Sequence, residues 1–335
     1  MKKKYTVGGL FSGVGGIEQG FLKKGFEVLW SNDIDEPSSK TFKKNFNHKH
    51  ILKDIHKLKG DELEPVDVLV GGFPCQAFSI AGYRKGFEDE RGNLFFQIMR
   101  LVNELKEKPK VLLLENVKNF YTHDHGNTFA EVHKALEKKG YCVFHKVLNT
   151  SAITKVPQNR ERTFIICFDE GAGALLDPAQ VMSHKFNQIF PPKELKNTHS
   201  IREYLEKKEV DKKFFYGEEK YMFKELKETI KSKDTVYQWR RQYVRENKSN
   251  VCPTLTANMG TGGHNVPLIL NDDGRYRKLT PRECFNLQGF PKSYRLPDDV
   301  PVSQLYKQAG NSVTVKIIEV LADLIKEAMD TKYRK

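Results

Sequence analysis

Cys75 follows an apolar run in a pattern that would place a thiol at the end of a β-strand. Residues 66–70 are mostly apolar, and two glycines, a phenylalanine and Pro74 separate this run from the cysteine. Reaction sites of open α/β sheets lie outside the carboxyl ends of strands, so Cys75 is a candidate nucleophile. A buried and chemically inert side chain is the common alternative for a free cysteine.

Two further strand-like runs end or begin at charged residues that could serve the same site. Residues 111–114 are apolar and end at Glu115, which puts a carboxylate at a strand tip, with a loop acid or a helix N-terminal residue as the alternative. Arg160 and Arg162 stand two apart before the apolar run 163–167, and strand alternation sends both to one face. These charged groups make an active role for Cys75 more plausible than the residue alone would.

The order of these motifs resembles that of the cytosine-C5 DNA methyltransferases. Pro-Cys-Gln at 74–76, Glu-Asn-Val at 115–117 and Gln-x-Arg-x-Arg at 158–162 look like the catalytic motifs of that family. The resemblance implies that the Cys75 thiolate attacks C6 of cytosine, which makes C5 nucleophilic enough to take a methyl group. It assigns Glu115 to the N3 edge, and Arg162 with Arg160 to the sugar, O2 and Glu115. The target base must then be flipped out of the duplex.

A glycine turn near the N-terminus could bring a cofactor to the start of a helix. An apolar run begins at Val7, and Gly13, Gly15 and Gly16 follow it before an amphipathic segment. Asp33 closes the next strand, where an acid suits ribose hydroxyls. These residues fit NAD as well as S-adenosylmethionine, and a turn that only packs a helix is the alternative.

The resemblance implies S-adenosylmethionine as the cofactor. Asp54 stands where the family has an acid for the adenine amino group, with a surface aspartate as the alternative, and segment 308–313 closes the donor pocket. The family often has an acid directly before Leu-Phe, whereas this chain has Gly9. The expected cofactor residues are Phe11, Gly13, Val14, Gly15, Gly16, Asp33, Ile34, Asp54, Ile55, Pro74, Leu94, Asn311 and Val313.

Two segments are expected to contact DNA. The glycine-punctuated stretch 77–93 has no helical period and resembles the mobile catalytic loop of the family. Ala81 lacks the hydroxyl that some relatives have there, so we expect Arg84, Tyr83 or the recognition domain to fill the gap left by the flipped base. The stretch 185–248 interleaves basic residues with aromatics, which suits nucleic acid, with a solvated surface as the alternative. The stretch 252–267 resembles the target-recognition segment of the family, and Arg240, Arg241 and Arg245 could contact guanine edges or phosphates. The candidate DNA contacts are Tyr83, Arg84, Lys85, Arg240, Arg241, Arg245, Thr256, Asn258 and Gly260.

The composition fits an enzyme that acts on a polyanion. The 335 residues are 39% hydrophobic and have a formal net charge of +13, although a basic surface also serves solubility. The cysteines are odd in number and widely spaced, which argues against a zinc site or disulfides, and His123, His125 and His133 lack further spaced ligands. No metal is expected. No run approaches a membrane span or a signal-peptide core, so we expect no membrane partner and a cytoplasmic location.

Alternating strands and helices predict an α/β fold in which a Rossmann-like S-adenosylmethionine-dependent methyltransferase sheet, read as parallel, is wrapped by helices. A second, smaller target-recognition domain is expected at 185–302, between a catalytic and donor-binding domain at 1–184 and a return segment at 303–335. Helices are expected from Asn93 to about Leu105 and after Thr280, a candidate N-cap with Pro281 and Glu283 behind it.

Three other functions are possible on these motifs. An adenine-N6 or cytosine-N4 methyltransferase would need Asp/Asn-Pro-Pro-Tyr/Phe, and residues 73–76 are Phe-Pro-Cys-Gln instead. A tRNA cytosine-C5 methyltransferase shares most motifs but usually has a shorter recognition part. A non-enzymatic DNA-binding module would not need Cys75, Glu115 and the paired arginines together. We therefore expect a monomeric enzyme that acts on double-stranded DNA and protects it from a cognate restriction endonuclease, which need not be bound.

Overall fold

A seven-stranded sheet forms the centre of the first half of the chain, in a computed structural model that describes residues 4–74, 94–171, 185–195, 200–240, 242–247, 250–260 and 267–333. Its strands are β1 (Thr6–Leu10), β2 (Glu27–Asp33), β3 (Lys49–Leu52), β4 (Val68–Gly72), β5 (Val111–Val117), β6 (Tyr141–Asn149) and, after a short strand β7 (Gln158–Asn159), β8 (Glu161–Asp169). Their order is β3-β2-β1-β4-β5-β8-β6. The predicted α/β sheet is confirmed.

The sheet is mixed, so the prediction of a parallel sheet is wrong for its far edge. Strands β3, β2, β1, β4 and β5 pair in parallel, whereas β8 is antiparallel to both β5 and β6. Only the short segment between Asn149 and Glu161 joins β6 to β8. A parallel crossover needs a dozen or more residues, usually with a full helix, so this link favours an antiparallel return.

Helices cover both faces of the sheet. One core cluster packs α1 (Gly16–Lys23) and the C-terminal helix against the sheet through Phe21, Ile318 and Leu321. The other packs α3 and α5 through Ile98 and Leu136. The remaining helices complete the series in chain order: α2 (Glu36–Lys43), α3 (Leu94–Glu104), α4 (Asn119–Thr122), α5 (Asn127–Lys138), α6 (Thr150–Ile153), α7 (Lys185–Ile189), α8 (Phe223–Thr229), α9 (Pro281–Leu287), α10 (Val302–Asn311) and α11 (Val315–Tyr333).

A second, five-stranded sheet lies in the later part of the chain. It contains β9 (Phe215–Tyr216), β10 (Tyr237–Arg240), β11 (Tyr243–Glu246), β13 (Pro267–Leu270) and β14 (Tyr276–Lys278), in the order β11-β10-β13-β14-β9. All its pairs are antiparallel, while β12 (Cys252–Pro253) pairs in parallel with β7. The chain thus returns from the second sheet to the region that precedes β8.

The helix after Thr280 begins as the sequence predicts. Thr280 and Glu283 form a capping box, and Pro281 occupies the first turn of α9. The Glu283 carboxylate also accepts hydrogen bonds from Arg277, with Oε2 and Nη1 2.8 Å apart, and both side chains are buried. Such a pair is strongly destabilising to break, because a lone charge would then remain buried. It fixes α9 to the end of the second sheet.

The cysteines within the described residues form no disulfide. Cys142, Cys167, Cys252 and Cys284 are free and buried. No cluster of three or more His, Cys, Asp or Glu side chains with metal-ligand potential occurs there. Within the same residues, no helix combines the length and hydropathy that crossing a membrane requires.

Candidate active site

The tips of β4 and β5 lie side by side at the carboxyl edge of the parallel strands. Gly72 pairs with Glu115, and a Cβ added at Gly72 would lie 3.2 Å from the Glu115 carboxylate. Beside them, Asn116 Nδ2 donates to the Phe73 carbonyl oxygen at 2.9 Å. This bond holds the backbone that leads towards residue 75 against the end of β5. Cys75 itself lies outside the described residues, as do Tyr83, Arg84, Lys85 and Arg241.

Glu115 and Arg162 form an ion pair at this edge. Arg162 Nε lies 3.0 Å from Glu115 Oε1, and the two side chains are only 16% and 14% exposed. Antiparallel pairing of β5 with β8, which sets Val117 opposite Arg162, brings them together. Burial raises the pKa of Glu115, while the charges of Arg162 and Arg160 oppose that rise. Burial thus favours the protonated carboxyl group and the ion pair favours the carboxylate, so Glu115 is a candidate for proton exchange with a bound base.

A polar cavity of about 260 Å³ opens next to the ion pair. Lys118 and Glu161 form a second ion pair there, with Nζ and Oε2 2.9 Å apart. The Thr254 hydroxyl donates to the Asn159 carbonyl oxygen at 2.6 Å, so the later part of the chain contributes one wall. The cavity is lined by Val117, Lys118, Asn119, Asn159, Glu161, Arg162 and Thr254.

Arg160 joins three segments of backbone rather than the Glu115 carboxylate. Its side chain is 2% exposed, and it donates to the carbonyl oxygens of Leu255 at 2.8 Å, Gly310 at 3.0 Å and Ser312 at 2.6 Å. The structure therefore brings Arg162, and not Arg160, to Glu115. Arg160 is a positioning residue that ties the start of β8 to the later loop and to the end of α10.

Buried glutamines extend this junction. Gln158 Nε2 donates to the Leu287 carbonyl oxygen at 2.7 Å, and Gln288 Nε2 donates to the Ala309 carbonyl oxygen at 2.6 Å. Thr314 donates to Gln288 Oε1 at 3.0 Å. Because buried amides must be hydrogen-bonded, these contacts fix the register between β7, α9 and the segment after α10.

The expected donor site is a glycine turn beside a carboxylate. Asp33 Oδ2 accepts from the Gly13 N–H at 2.6 Å, and Oδ1 accepts from the Asp35 N–H at 2.7 Å. Burial raises the pKa of Asp33, and these backbone donors oppose that rise. Ile34 is 67% exposed and Leu52 is 43% exposed, so apolar side chains lie uncovered next to the acid. A carboxylate for hydroxyls with apolar surface for a ring fits a nucleoside.

The other expected donor residues have various surroundings. Asp54 caps a short helical turn, accepting from the His56 N–H at 3.0 Å. The Val14 carbonyl oxygen accepts from the Tyr294 hydroxyl at 2.7 Å. A Cβ at Gly16 would lie 2.6 Å from Ser312 Oγ, so the segment after α10 reaches the glycine turn as expected. The remaining expected residues are placed as follows: Phe11 has φ +54°, Gly15 packs on Phe46, Ile55 and Val313 are buried, Leu94 is partly buried, and Pro74 and Asn311 are exposed.

Glu18 is a titratable residue of this region that the sequence analysis missed. It lies on α1 directly behind the glycine turn, is 1% exposed, and burial raises its pKa to about 7. The sequence does contain a signal for this residue, because Glu18 is an acid between Ile17 and Phe21 on the apolar face of an amphipathic helix.

The expected DNA contacts fall on the second sheet and on the loop after β12. Arg240 ends β10, and Arg245 on β11 lies 3.4 Å from Gln238 Oε1 through Nη2. In the loop, Thr256 donates to Asn258 Oδ1 at 2.8 Å. A Cβ at Gly260 would lie 2.7 Å from Tyr306 Cβ, so the absence of a side chain there serves packing on α10.

Comparison with known proteins gives one consistent family. Residues 5–327 match the family described as C-5 cytosine-specific DNA methylase. The chain is 48% identical over 328 residues to the Type II methyltransferase M.Bsp6I of Bacillus sp. (strain RFL6), covering 96% of this chain and 99% of that protein. It is 34% identical to the Type II methyltransferase M.HhaI of Haemophilus parahaemolyticus, over 96% of this chain and 94% of the relative.

Solved structures agree on the fold. The S. pombe Dnmt2 methyltransferase superposes with a TM-score of 0.74 at 19% identity, covering 98% of this chain and all of that one. The Entamoeba histolytica methyltransferase EhMeth gives 0.71 at 18% identity, covering 99% and 100%. With the family match over nearly the whole chain, these findings leave no ambiguity of class. The chain belongs to the C-5 cytosine-specific DNA methylases, and it is a DNA (cytosine-5-)-methyltransferase.

Proposed function

We propose that the chain transfers a methyl group from S-adenosylmethionine to C5 of a flipped-out cytosine in a short, specific site of double-stranded DNA. The observation that carries this proposal is the largely buried Glu115–Arg162 pair, 3.0 Å apart at the tip of β5. The neighbouring strand tip at Gly72 leads within three residues to Cys75. A carboxyl group and a guanidinium next to a thiol are what activation of a pyrimidine ring requires.

The Asp33 region supports S-adenosylmethionine as the methyl donor. Asp33 would accept hydrogen bonds from the ribose, Ile34 and Leu52 would flank the adenine, and the glycine turn would lie against the remainder of the molecule. Asp54 and Phe11 would contribute at the edges of the base. When bound, the donor supplies an electrophilic methyl group.

The protein residues activate the cytosine. The Cys75 thiolate forms a bond to C6, and the displaced electron pair moves through the ring towards N3 and O2. Glu115 provides the proton at N3, and Arg162 stabilises the charge at O2. C5 is then nucleophilic and becomes methylated. Loss of the C5 proton to a base, for which water is a candidate, expels Cys75 as the thiolate. N3 returns its proton to Glu115, and the aromatic ring is restored.

The presence of two sheets supports a division of the chain into two domains. Residues 1–184 would form the catalytic and donor-binding domain, 185–302 the target-recognition domain, and 303–335 the return to the first domain. Arg240 and Arg245 would face the DNA from the second sheet, with Thr256 and Asn258 at the boundary. Arg241 and the stretch 77–93 lie outside the described residues and are further proposed DNA contacts. A mobile loop and a second domain are expected, because C5 and C6 are stacked inside a duplex.

The relatives suggest the biological setting. Those reported above are named Type II methyltransferases, and the similarity extends along the full chain. We infer that the protein acts as a cytoplasmic monomer that methylates the recognition site of a cognate restriction endonuclease. The endonuclease is a functional partner and need not bind the chain.

Incubation with labelled S-adenosylmethionine tests the proposal directly. We expect label in duplex DNA and none in tRNA, while Cys75→Ser transfers none, because a hydroxyl has far less anion than a thiol near neutral pH. The variant should still bind DNA. Bisulfite sequencing of plasmid DNA from an expressing host then gives the recognised site. Label in tRNA alone would establish the RNA substrate instead, and full activity of Cys75→Ser would remove the nucleophile from the mechanism.

A further inference from the structure

The carboxyl group of Glu18 is buried beneath the expected donor site without a matching charge. Glu18 lies on the first turns of α1, and Oε1 accepts from the Ser31 hydroxyl on β2 at 3.2 Å. Oε2 is buried and has no hydrogen-bond partner among the residues that the structure describes. No ion pair in those ranges joins this carboxyl to a lysine, an arginine or a histidine. A buried acid without a cation is costly when ionised.

Glu18 occupies the space that a side chain at position 9 would need. A Cβ added at Gly9 would lie 2.2 Å from Glu18 Oε1 and 2.9 Å from Ser12 Oγ. The end of β1 therefore has an acid beside it, although the sequence has a glycine there. The Glu18 side chain extends from α1 to the end of β1, and the turn that contains Gly13, Gly15 and Gly16 follows that strand.

The groups that face Glu18 are acidic or neutral. Asp33 on β2 is close enough for its charge to oppose ionisation of Glu18, and it accepts the Gly13 N–H at 2.6 Å. His48, before β3, lies 2.9 Å from the Ser31 hydroxyl, and burial lowers its pKa to about 4, so it is neutral near pH 7. Ser12 contributes a hydroxyl from the turn. Tyr294, which follows α9 in the chain, is close enough to interact electrostatically with Glu18, and burial raises the pKa of its hydroxyl.

We propose that Glu18 is a positioning residue of the donor site that loses its proton when the cationic methyl donor binds. This inference rests on the proposed function, in which S-adenosylmethionine occupies the glycine turn. The donor has a sulfonium and an ammonium group, and the described surroundings of Glu18 offer it no cation. A cation brought near a buried acid favours its ionised form, so binding and ionisation are coupled. Burial, with a smaller contribution from the charge of Asp33 and against the hydrogen bonds that Glu18 accepts, raises its pKa to about 7.

Product release would use the same coupling in reverse. S-adenosylhomocysteine has the same amino-acid end as the donor but no sulfonium charge. It would therefore stabilise the Glu18 carboxylate less than the donor does. The preference for donor over product would be smaller when Glu18 is protonated than when it is ionised. Each unit by which the bound donor lowers the pKa corresponds to about tenfold tighter binding across the titration, by linkage.

Calorimetric titration of the full chain near pH 7 tests this coupling. S-adenosylmethionine is titrated in buffers of different ionisation enthalpy, and the slope of heat against buffer enthalpy gives the protons released. We expect a release of up to about half a proton, as follows for a group half-ionised at the start. The release should be smaller with S-adenosylhomocysteine and absent in Glu18→Gln, which keeps the shape without the charge. Glu27→Gln, at the exposed start of β2, is the matched control and should behave as the unchanged protein.

The outcomes separate this inference from the proposed function. Donor binding without proton release, or release that persists in Glu18→Gln, overturns the coupling and leaves the donor assignment intact. Failure of the unchanged protein to bind S-adenosylmethionine overturns the donor assignment itself. If Glu18→Gln does not fold, the dissociation constants of the unchanged protein between pH 6 and 8 decide. The ratio of donor to product affinity should rise with pH, and a constant ratio contradicts the proposal.

Discussion

At the scale of single residues, the site depends on where carboxyl groups are buried. Glu115 has a guanidinium at 3.0 Å, whereas Glu18 accepts from the Ser31 hydroxyl at 3.2 Å and has no ion pair among the described residues. Both are acids whose pKa burial raises. The charge of Arg162 opposes that rise at Glu115, whereas the neighbouring charge of Asp33 adds to it at Glu18, whose pKa is about 7. The two acids therefore suit different tasks.

Glu115→Gln should lower the turnover number by about 10²- to 10⁴-fold, the range for loss of a group that holds the reacting proton. The amide cannot give a proton to N3, and it leaves Arg162 without its counter-charge. Donor affinity should change little, because the Asp33 region is separate. Single-turnover methylation of a site-containing duplex measures the effect. Glu137→Gln, at a half-exposed acid on α5 that pairs with His133, is the control, and equal rates for both variants would contradict the assignment.

Glu18→Gln should change the pH dependence of stability. The pKa of Glu18 is raised from 4.5 to about 7 on folding. The protonated carboxyl group therefore contributes stability that is fully present below pH 4.5 and is lost as the pH rises through 7. That loss amounts to about 3 kcal/mol at 1.4 kcal/mol per unit. The difference in unfolding free energy between the unchanged protein and Glu18→Gln should shift by this amount in favour of the variant between pH 5 and pH 8. Urea titrations at the two pH values measure it, and parallel pH profiles would refute it.

At the scale of elements, the junction around Arg160 holds the catalytic strand, the loop after β12 and the end of α10 in one arrangement. Three carbonyl oxygens accept from a single fully buried guanidinium. Lysine has one ammonium and cannot reproduce this fork. The geometry of the site therefore depends on a residue that does not reach Glu115.

Arg160→Lys should destabilise the protein by about 3 kcal/mol or more, because buried carbonyl groups lose charge-assisted bonds. It should also raise the Michaelis constant for DNA, since the loop that contains Thr256 loses its attachment to β8. Arg275→Lys is the control, because Arg275 is half-exposed, pairs with the exposed Asp273 and lies over the Phe215 ring. Thermal unfolding and steady-state kinetics measure the two effects. Unchanged stability in Arg160→Lys would mean that the buried glutamines suffice.

The elements divide into those that local sequence could predict and those that it could not. Helix α3 and the capped start of α9 follow from periodicity and from Thr280, and the structure confirms both. The antiparallel β8 could not be predicted from alternation alone, because direction depends on the length of the link. The partners of Arg160 lie 95 to 152 positions away and are backbone atoms, which leave no mark in side-chain patterns. Glu18 meets Gly9 only after α1 has packed on the sheet.

At the scale of the whole molecule, the charge of +13 should govern affinity for DNA. Contacts to phosphates release counterions, and a protein that makes six to ten of them loses about 10³- to 10⁵-fold in affinity between 50 and 200 mM salt. We expect this protein to lose about 10³-fold or more over that range, with a similar slope on duplexes that lack the site. Fluorescence anisotropy of labelled duplexes measures both slopes. A dissociation constant that does not change with salt concentration would mean that the basic surface does not face the DNA.

At the same scale, the free energy needed to unpair the target cytosine should affect how tightly the protein binds DNA. Thr254 reaches from the later segment to Asn159 at the cavity beside Arg162, so a base in that cavity would be held from both parts of the chain. Extruding a paired cytosine costs a few kcal/mol, and less when the base is mispaired. Binding to a duplex with a mismatch at the target cytosine should therefore be at least about tenfold tighter than to the matched duplex, since each 1.4 kcal/mol is tenfold.

Position within the duplex provides the control for this last prediction. A mismatch placed several base pairs outside the recognised site changes flexibility without easing extrusion of the target, so it should leave the dissociation constant close to that of the matched duplex. Both measurements need the site that bisulfite sequencing identifies. Equal affinity for matched and target-mismatched duplexes would mean that the cytosine is not flipped on binding. Equal gains from both mismatches would mean that the protein responds to bending, because the unpairing cost falls only at the target.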